Sequence, residues 1–140
     1  MQMKFNKRFY IRVAAILLLI LFGVLMAFIG KQHTILLDNK NITVNGTELK
    51  ALSLVEIQVD DEPSMELAKR DRDLVLVQGQ RHKVKVIYSD EDWNEIVLEK
   101  DFKISFGQDM YLFSIPAFIN DVEDVDSYLE PFEVKNISDN

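Results

Sequence analysis

The 140-residue chain contains no cysteine, so it cannot form a disulfide bond, a thiolate nucleophile, a lipid-modified cysteine anchor or a thiolate metal site. Small exported domains of animals and fungi are usually cross-linked by disulfides. If this chain is exported, its lack of cysteine favours a bacterial origin.

Histidine and glycine are also scarce. The only histidines, His33 and His82, are far apart in strand-like segments and form no H-x-x-x-H pair, so a zinc site would need both of them together with carboxylates. The five glycines stand singly, and the chain contains no P-loop, G-x-G-x-x-G or G-x-S-x-G motif. We therefore predict no catalytic, cofactor-binding or metal-ligating residue, no cofactor and no enzyme activity.

The longest apolar run extends from Val13 to Ile29 without a charged or strongly polar side chain. As a helix, 17 residues are about 26 Å long, close to the ~30 Å hydrocarbon core of a bilayer. We predict a single transmembrane helix over residues 13–30, in contact with the lipid bilayer. The alternatives are a cleaved signal peptide, whose apolar core is usually shorter and followed by small residues, and a buried helix of a soluble domain.

Charge is distributed unevenly on the two sides of this run. Residues 1–12 contain four basic side chains and no acidic one, whereas the residues from Lys31 onward contain 12 basic and 23 acidic side chains, a net charge of −11. Basic residues beside a membrane helix favour the cytoplasmic side. We predict a cytoplasmic N-terminus over 1–12, an extracytoplasmic domain over 31–134 and a flexible tail over 135–140. The acidic balance also disfavours binding to nucleic acid.

Alternation of apolar and polar residues dominates the exported part and predicts strands with one buried face, clearest over 53–59, 82–88 and 96–106. Asn45-Gly46 predicts a type I′ hairpin turn. Residues 74–77 are continuously apolar, which predicts a central strand buried on both faces, and Gly79 predicts a hairpin from it to residues 82–88. Pro116 is expected to end a strand, and residues 121–129 to form at most a short helix.

These patterns predict a mainly β fold, in which a transmembrane helix precedes a small antiparallel β-sandwich or barrel-like domain of seven to eight strands. The apolar positions of repeating parity are the predicted core. They are Val55, Ile57, Leu74, Leu76, Val84, Val86, Leu98, Phe102, Ile104, Tyr111, Phe113 and Ile115.

Carboxylates are the only abundant reactive groups, and they cluster in predicted loops at 60–62, 90–92 and 121–126. The favoured hypothesis is a single-pass membrane protein whose β-domain acts as a non-catalytic interaction or accessory module with a protein partner in the cell envelope. One alternative is a calcium or small-ligand sensor that uses the acidic loops. The other is a small envelope hydrolase that uses paired carboxylates.

Overall fold

The computed structural model describes residues 4 and 6–133. Its first element is helix α1, Lys7–Gly30, which is about 36 Å long at ~1.5 Å per residue. No residue of α1 is buried, and the helix is long and apolar enough to span a membrane by length and composition. The predicted apolar helix is confirmed, although it begins six residues before Val13. Its complete exposure is unlike that of a helix in the core of a soluble domain.

Ten strands and two short helices follow α1. The strands are β1 Gln32–Asp38, β2 Ile42–Val44, β3 Thr47–Leu49, β4 Leu54–Val59, β5 Met65–Ala68, β6 Arg72–Gln78, β7 Arg81–Ser89, β8 Glu95–Lys103, β9 Met110–Ser114 and β10 Leu129–Pro131. The helices are α2 Ile115–Asn120 and α3 Val125–Tyr128. The mainly β prediction is confirmed, but the strand count of seven to eight is too low.

The strands form two four-stranded sheets and one hairpin. Sheet 1 has the order β10-β9-β1-β6, sheet 2 has the order β5-β4-β7-β8, and β2 pairs only with β3. Neither sheet closes into a barrel. Strands β1 and β9 run parallel, so the expectation of a purely antiparallel domain is wrong at this pair. Alternation reports which face of a strand is buried, and it carries no information on which distant strand lies alongside.

The predicted hairpin around Gly79 is wrong. Strand β6 pairs with β1 in sheet 1, whereas β7 pairs with β4 and β8 in sheet 2, so the chain crosses between the sheets at this turn. A turn sequence reverses the chain both in a hairpin and in a crossing between two sheets. It therefore does not specify which strands pair. By contrast, the predicted hairpin at Asn45-Gly46 is confirmed: both residues have positive φ, 51° and 81°, and Val44 faces Thr47.

The prediction that Pro116 only ends a strand is also incomplete. Ser114 accepts a hydrogen bond from the Ala117 amide at 3.4 Å and caps α2, with Pro116 in the first helical turn. Proline is favoured there because its missing N–H would have no helical partner. The short helix expected within residues 121–129 is present as α3.

The inner faces of both sheets contribute to one apolar core. Nine of the twelve predicted core residues are buried, and Leu98 is partly buried against the core. Leu74 and Leu76 are wrong predictions, since they are 50% and 47% exposed. Only Val75 and Val77 of β6 face the core, because β6 lies at an edge of sheet 1 and no described element covers its other face.

The end of α1 is attached to the β-domain. The backbone oxygen of Lys31 accepts a hydrogen bond from the Gly79 amide, and the Lys31 ammonium lies 3.2 Å from the Asp109 carboxylate. The rings of Phe28 and Phe106 are 4.6 Å apart between centroids. These contacts place the start of β1 and the end of β6 beside the helix.

Candidate functional site

The three acidic clusters lie in turns, and in two of them a carboxylate accepts hydrogen bonds from backbone amides of the same turn. Asp90 accepts hydrogen bonds from the backbone amides of Asp92 and Asn94 at 2.9 and 2.8 Å. The pKa of Asp90 is lowered, chiefly by the bond from the Asn94 amide. Asp121 similarly accepts from the Glu123 amide. Among residues 4 and 6–133, no three His, Asp or Glu side chains are close enough to hold a metal ion.

Asp60, in the first acidic cluster, is partly exposed and pairs with the buried side chain of His82. Asp60 Oδ2 lies 2.6 Å from His82 Nδ1, and its Oδ1 accepts from the Lys83 amide at 2.9 Å. His82 Nε2 lies 2.9 Å from the backbone oxygen of Gly79. Both ring nitrogens therefore face acceptors, and the side chain has no solvent exposure. The pair joins two turns to β7 and leaves neither nitrogen available to a substrate.

His33 is the second buried histidine. Its Nδ1 lies 2.7 Å from the backbone oxygen of Gln108, and because a carbonyl oxygen only accepts, Nδ1 is the donor of this hydrogen bond. Nε2 is buried and has no hydrogen-bond partner among the described residues. No cluster of three His, Asp or Glu side chains among the described residues includes it, and its side chain is buried. No contact among the described residues supports the sensor alternative or the hydrolase alternative, and both stay predictions.

The outer face of sheet 2 is largely charged, although Leu54, Ile87 and Val97 also lie on it. Lys83 of β7 lies opposite Asp101 of β8, and Lys85 lies opposite Glu99. The Lys83 ammonium also lies 3.3 Å from the Glu99 carboxylate. Opposite charges on neighbouring strands are typical of a sheet face that water covers.

The outer face of sheet 1 is apolar. The register places Leu36 of β1 between Leu74 of β6 and Leu112 of β9, and the next row places Thr34 between Leu76 and Met110. All six side chains are partly or largely exposed. We call this surface the leucine face, formed by Thr34, Leu36, Leu74, Leu76, Met110 and Leu112.

Strand β6 also has an open edge, and the hydrogen bonds at its two ends define which groups are on it. The Gly79 amide donates to the Lys31 oxygen, and the Asn39 amide donates to the Asp71 oxygen, each at 3.0 Å. In an antiparallel pair, bonded and non-bonded positions alternate. The odd-numbered residues of β1 and β6 therefore bond to each other, and the even-numbered ones do not.

It follows that the backbone groups of Leu74 and Leu76 point away from β1, towards the open edge. The Leu74 amide confirms this direction, because it donates to the side chain of Asp73 at 2.8 Å rather than to β1. The Leu76 amide and both carbonyls have no strand partner in the described part of the chain. Unpaired groups of this kind are a template for pairing with another strand.

A groove runs along this edge, with a volume of about 830 Å³. Residues 73–78 of β6 form one wall, and the β4–β5 connection over residues 60–65 forms the other. Pro63 and Met65 supply apolar surface. The residues that line the groove include four carboxylates and, among those described, no basic side chain; the acidic ones are Asp60, Asp61, Glu62 and Asp73.

Sequence reasoning missed this site because it assigned the apolar run 74–77 to a central strand. The apolar run 74–77 was the available signal, because its composition is that of a strand covered on both faces. Within residues 4 and 6–133, no element covers the second face.

A family model described as a family of unknown function (DUF6672) matches residues 1–140. Searches of the curated proteins and of the solved structures found no match.

Proposed function

We propose that this chain, which belongs to the DUF6672 family of unknown function, is a single-pass membrane protein of the cell envelope whose β-domain is a non-catalytic interaction module. Helix α1 anchors it with the N-terminus in the cytoplasm. The β-domain lies outside and binds a protein partner through the leucine face.

The membrane assignment is supported by length, exposure and charge. At about 36 Å, α1 exceeds the ~30 Å hydrocarbon core, and none of its residues is buried. The N-terminal flank is basic and the part beyond the helix is strongly acidic. This asymmetry favours retention of the flank in the cytoplasm.

The observation that carries the interaction proposal is the contrast between the two outer sheet faces. Contiguous exposed apolar surface on a soluble domain marks a binding site, because each Å² removed from water contributes about 25 cal/mol. The leucine face is such a surface, whereas the outer face of sheet 2 carries mainly charged side chains. The groove beside it is lined by four carboxylates and, among the described residues, by no basic side chain, and this charge favours a protein segment with basic side chains as the partner.

The orientation is tested with a single introduced cysteine, since the chain has none of its own. Val97→Cys places a thiol on the exposed outer face of sheet 2. In intact cells we expect a membrane-impermeant maleimide to label it as completely as after lysis. Labelling only after lysis would contradict the proposed orientation.

The interaction is tested with a photo-crosslinking amino acid placed in native membranes at position 112, on the leucine face, or at position 83, on the charged face. We expect a discrete protein adduct from position 112 and none from position 83. Leu36→Asp, next to position 112 in the register, should abolish the adduct. Equal yields from the two faces, lipid adducts alone or an adduct of twice the chain mass would contradict the proposal.

A further inference from the structure

We infer that the open edge of β6 binds an extended segment of the partner protein as a fifth strand of sheet 1, and that this segment alternates apolar with basic residues. The inference rests on the proposed function and specifies the chemistry of the partner.

The backbone of β6 supports strand addition. Leu76 presents both its N–H and its C=O to the open edge, and the Leu74 amide is occupied only by the neighbouring Asp73 carboxylate. Seven residues of β6 are about 23 Å long, which is long enough for a segment of six to eight residues to pair along it. Main-chain hydrogen bonds of this kind provide affinity, and alternate side-chain pockets provide specificity.

The two sides of such a strand would meet different surfaces. Side chains on one side would extend the leucine face beside Leu74 and Leu76, which favours apolar residues. Side chains on the other side would enter the groove, over Met65 and towards Asp61 and Glu62. Lysine or arginine fits this second position, because its aliphatic stem can pack on apolar surface while its charge reaches the carboxylates.

The other sheet edges are less suited to strand addition. Strand β10 has three residues and ends at Pro131, β5 has four residues, and β8 carries the charged side chains of the sheet 2 face. A second copy of this chain is also disfavoured as the occupant, because two β6 edges would bring two acidic grooves together on chains of net charge −7.

The test uses the full chain in detergent micelles and an eight-residue capped peptide in which lysine alternates with valine. Its control replaces lysine by glutamate. We expect binding of the lysine peptide, weakened by salt, and no binding of the glutamate peptide. Hydrogen exchange of the Leu76 amide should be fast in the free chain and slow by at least about tenfold at saturating peptide, while Val75 and Val77 are protected throughout.

Two matched variants at position 76 separate backbone from side-chain effects. Leu76→Pro removes the outward N–H without removing a hydrogen bond to β1, whereas Leu76→Thr keeps it. We expect the proline variant to weaken peptide binding at least about tenfold relative to the threonine variant. The double variant Asp61→Asn, Glu62→Gln should weaken it roughly three- to tenfold. Melting curves check that all variants are folded.

Several results would overturn the inference. They are absence of peptide binding at millimolar concentration, equal binding of the lysine and glutamate peptides, equal binding to the proline and threonine variants, and a peptide-independent dimer that Leu76→Pro dissociates. The proposed function would survive each of these results if the adduct at position 112 forms and depends on Leu36. Loss of that adduct together with retained peptide binding would instead contradict the proposed function alone.

Discussion

The two sheets of the β-domain share one core but differ on their outer faces. In sheet 2, the residues that alternate with buried ones are largely charged, as in Lys83, Glu99 and Asp101. In sheet 1, the central ones are mainly leucine, as in Leu36, Leu74 and Leu112, with polar residues towards the strand ends. Sheet 2 therefore has the pattern of a sheet that water covers, and sheet 1 has the pattern of a sheet with elements on both sides.

This difference shows that one face of the isolated domain is suited to a partner. Exposed strand edges in natural proteins are usually short, charged, bent or covered. Strand β6 is seven residues long and carries two half-exposed leucines, and only the Leu74 amide is capped by a side chain. If the two sheets differ in this way, substitutions at core-facing and outward-facing positions should change stability by different amounts.

The largest expected effect is at the core side of sheet 2. Phe102 is 4% exposed and packs beside His82 and Phe113, with ring centroids 5.8 and 6.2 Å away. Phe102→Ala should lower the free energy of unfolding by about 3–5 kcal/mol. Lys103→Ala, on the exposed side of the same strand, should change it by less than about 0.5 kcal/mol. Thermal melting of both variants measures the difference, and similar losses would show that β8 is not half-buried.

A smaller effect is expected at the core side of sheet 1, where Tyr128 packs edge-on against Phe118 with ring centroids 5.0 Å apart. The pKa of Tyr128 is raised to about 12. Burial is the main cause, and the carboxylates of Glu123, Asp121 and Asp124 contribute the rest. The unfolded chain releases this proton near pH 10, so the folded state holds it more tightly. The resulting stability is complete below pH 10 and is lost as the pH rises through 12.

The expected loss for Tyr128 is up to about 3 kcal/mol between pH 10 and pH 12. Denaturant unfolding at several pH values measures it. Tyr128→Phe is the matched control, because it keeps the ring and removes the ionising group. An unchanged slope in this variant would show that Tyr128 does not carry the alkaline transition.

The smallest expected effect is on the charged outer face of sheet 2. A double-mutant cycle on Lys83 and Glu99, both about half exposed, should give a coupling energy of about 0.2–1 kcal/mol at low salt. The coupling should fall towards zero near 1 M salt, where the screening length is about 3 Å. A coupling that resists salt would mean that this face is covered rather than solvated.

Most of the domain's local structure could be predicted from the sequence, because alternation reports burial directly. Val84 and Val86 are buried, and the turn at Asn45-Gly46 closes the expected hairpin. The assembly of strands could not be predicted in the same way. Nothing local distinguishes a hairpin at Gly79 from a crossing between sheets, or indicates that β9 lies parallel to β1.

The candidate site was missed for a related physical reason. A face buried in the core and an apolar face at the surface have the same composition, so Leu74 and Leu76 could not be told apart from core residues. Their exposure follows from the assembled sheet, in which they lie on the outer face and no described element packs over them.

The central claim, that a partner covers the leucine face, is tested most directly by thiol labelling at two positions of matched exposure. Leu76 is 47% exposed in sheet 1 and Val97 is 46% exposed in sheet 2. The variants Leu76→Cys and Val97→Cys are labelled in native membranes and again after purification in detergent. The thiol at position 97 should react equally fast in the two preparations. Position 76 should be protected in native membranes and become reactive on purification. Equal reactivity of position 76 in the two preparations would contradict the account.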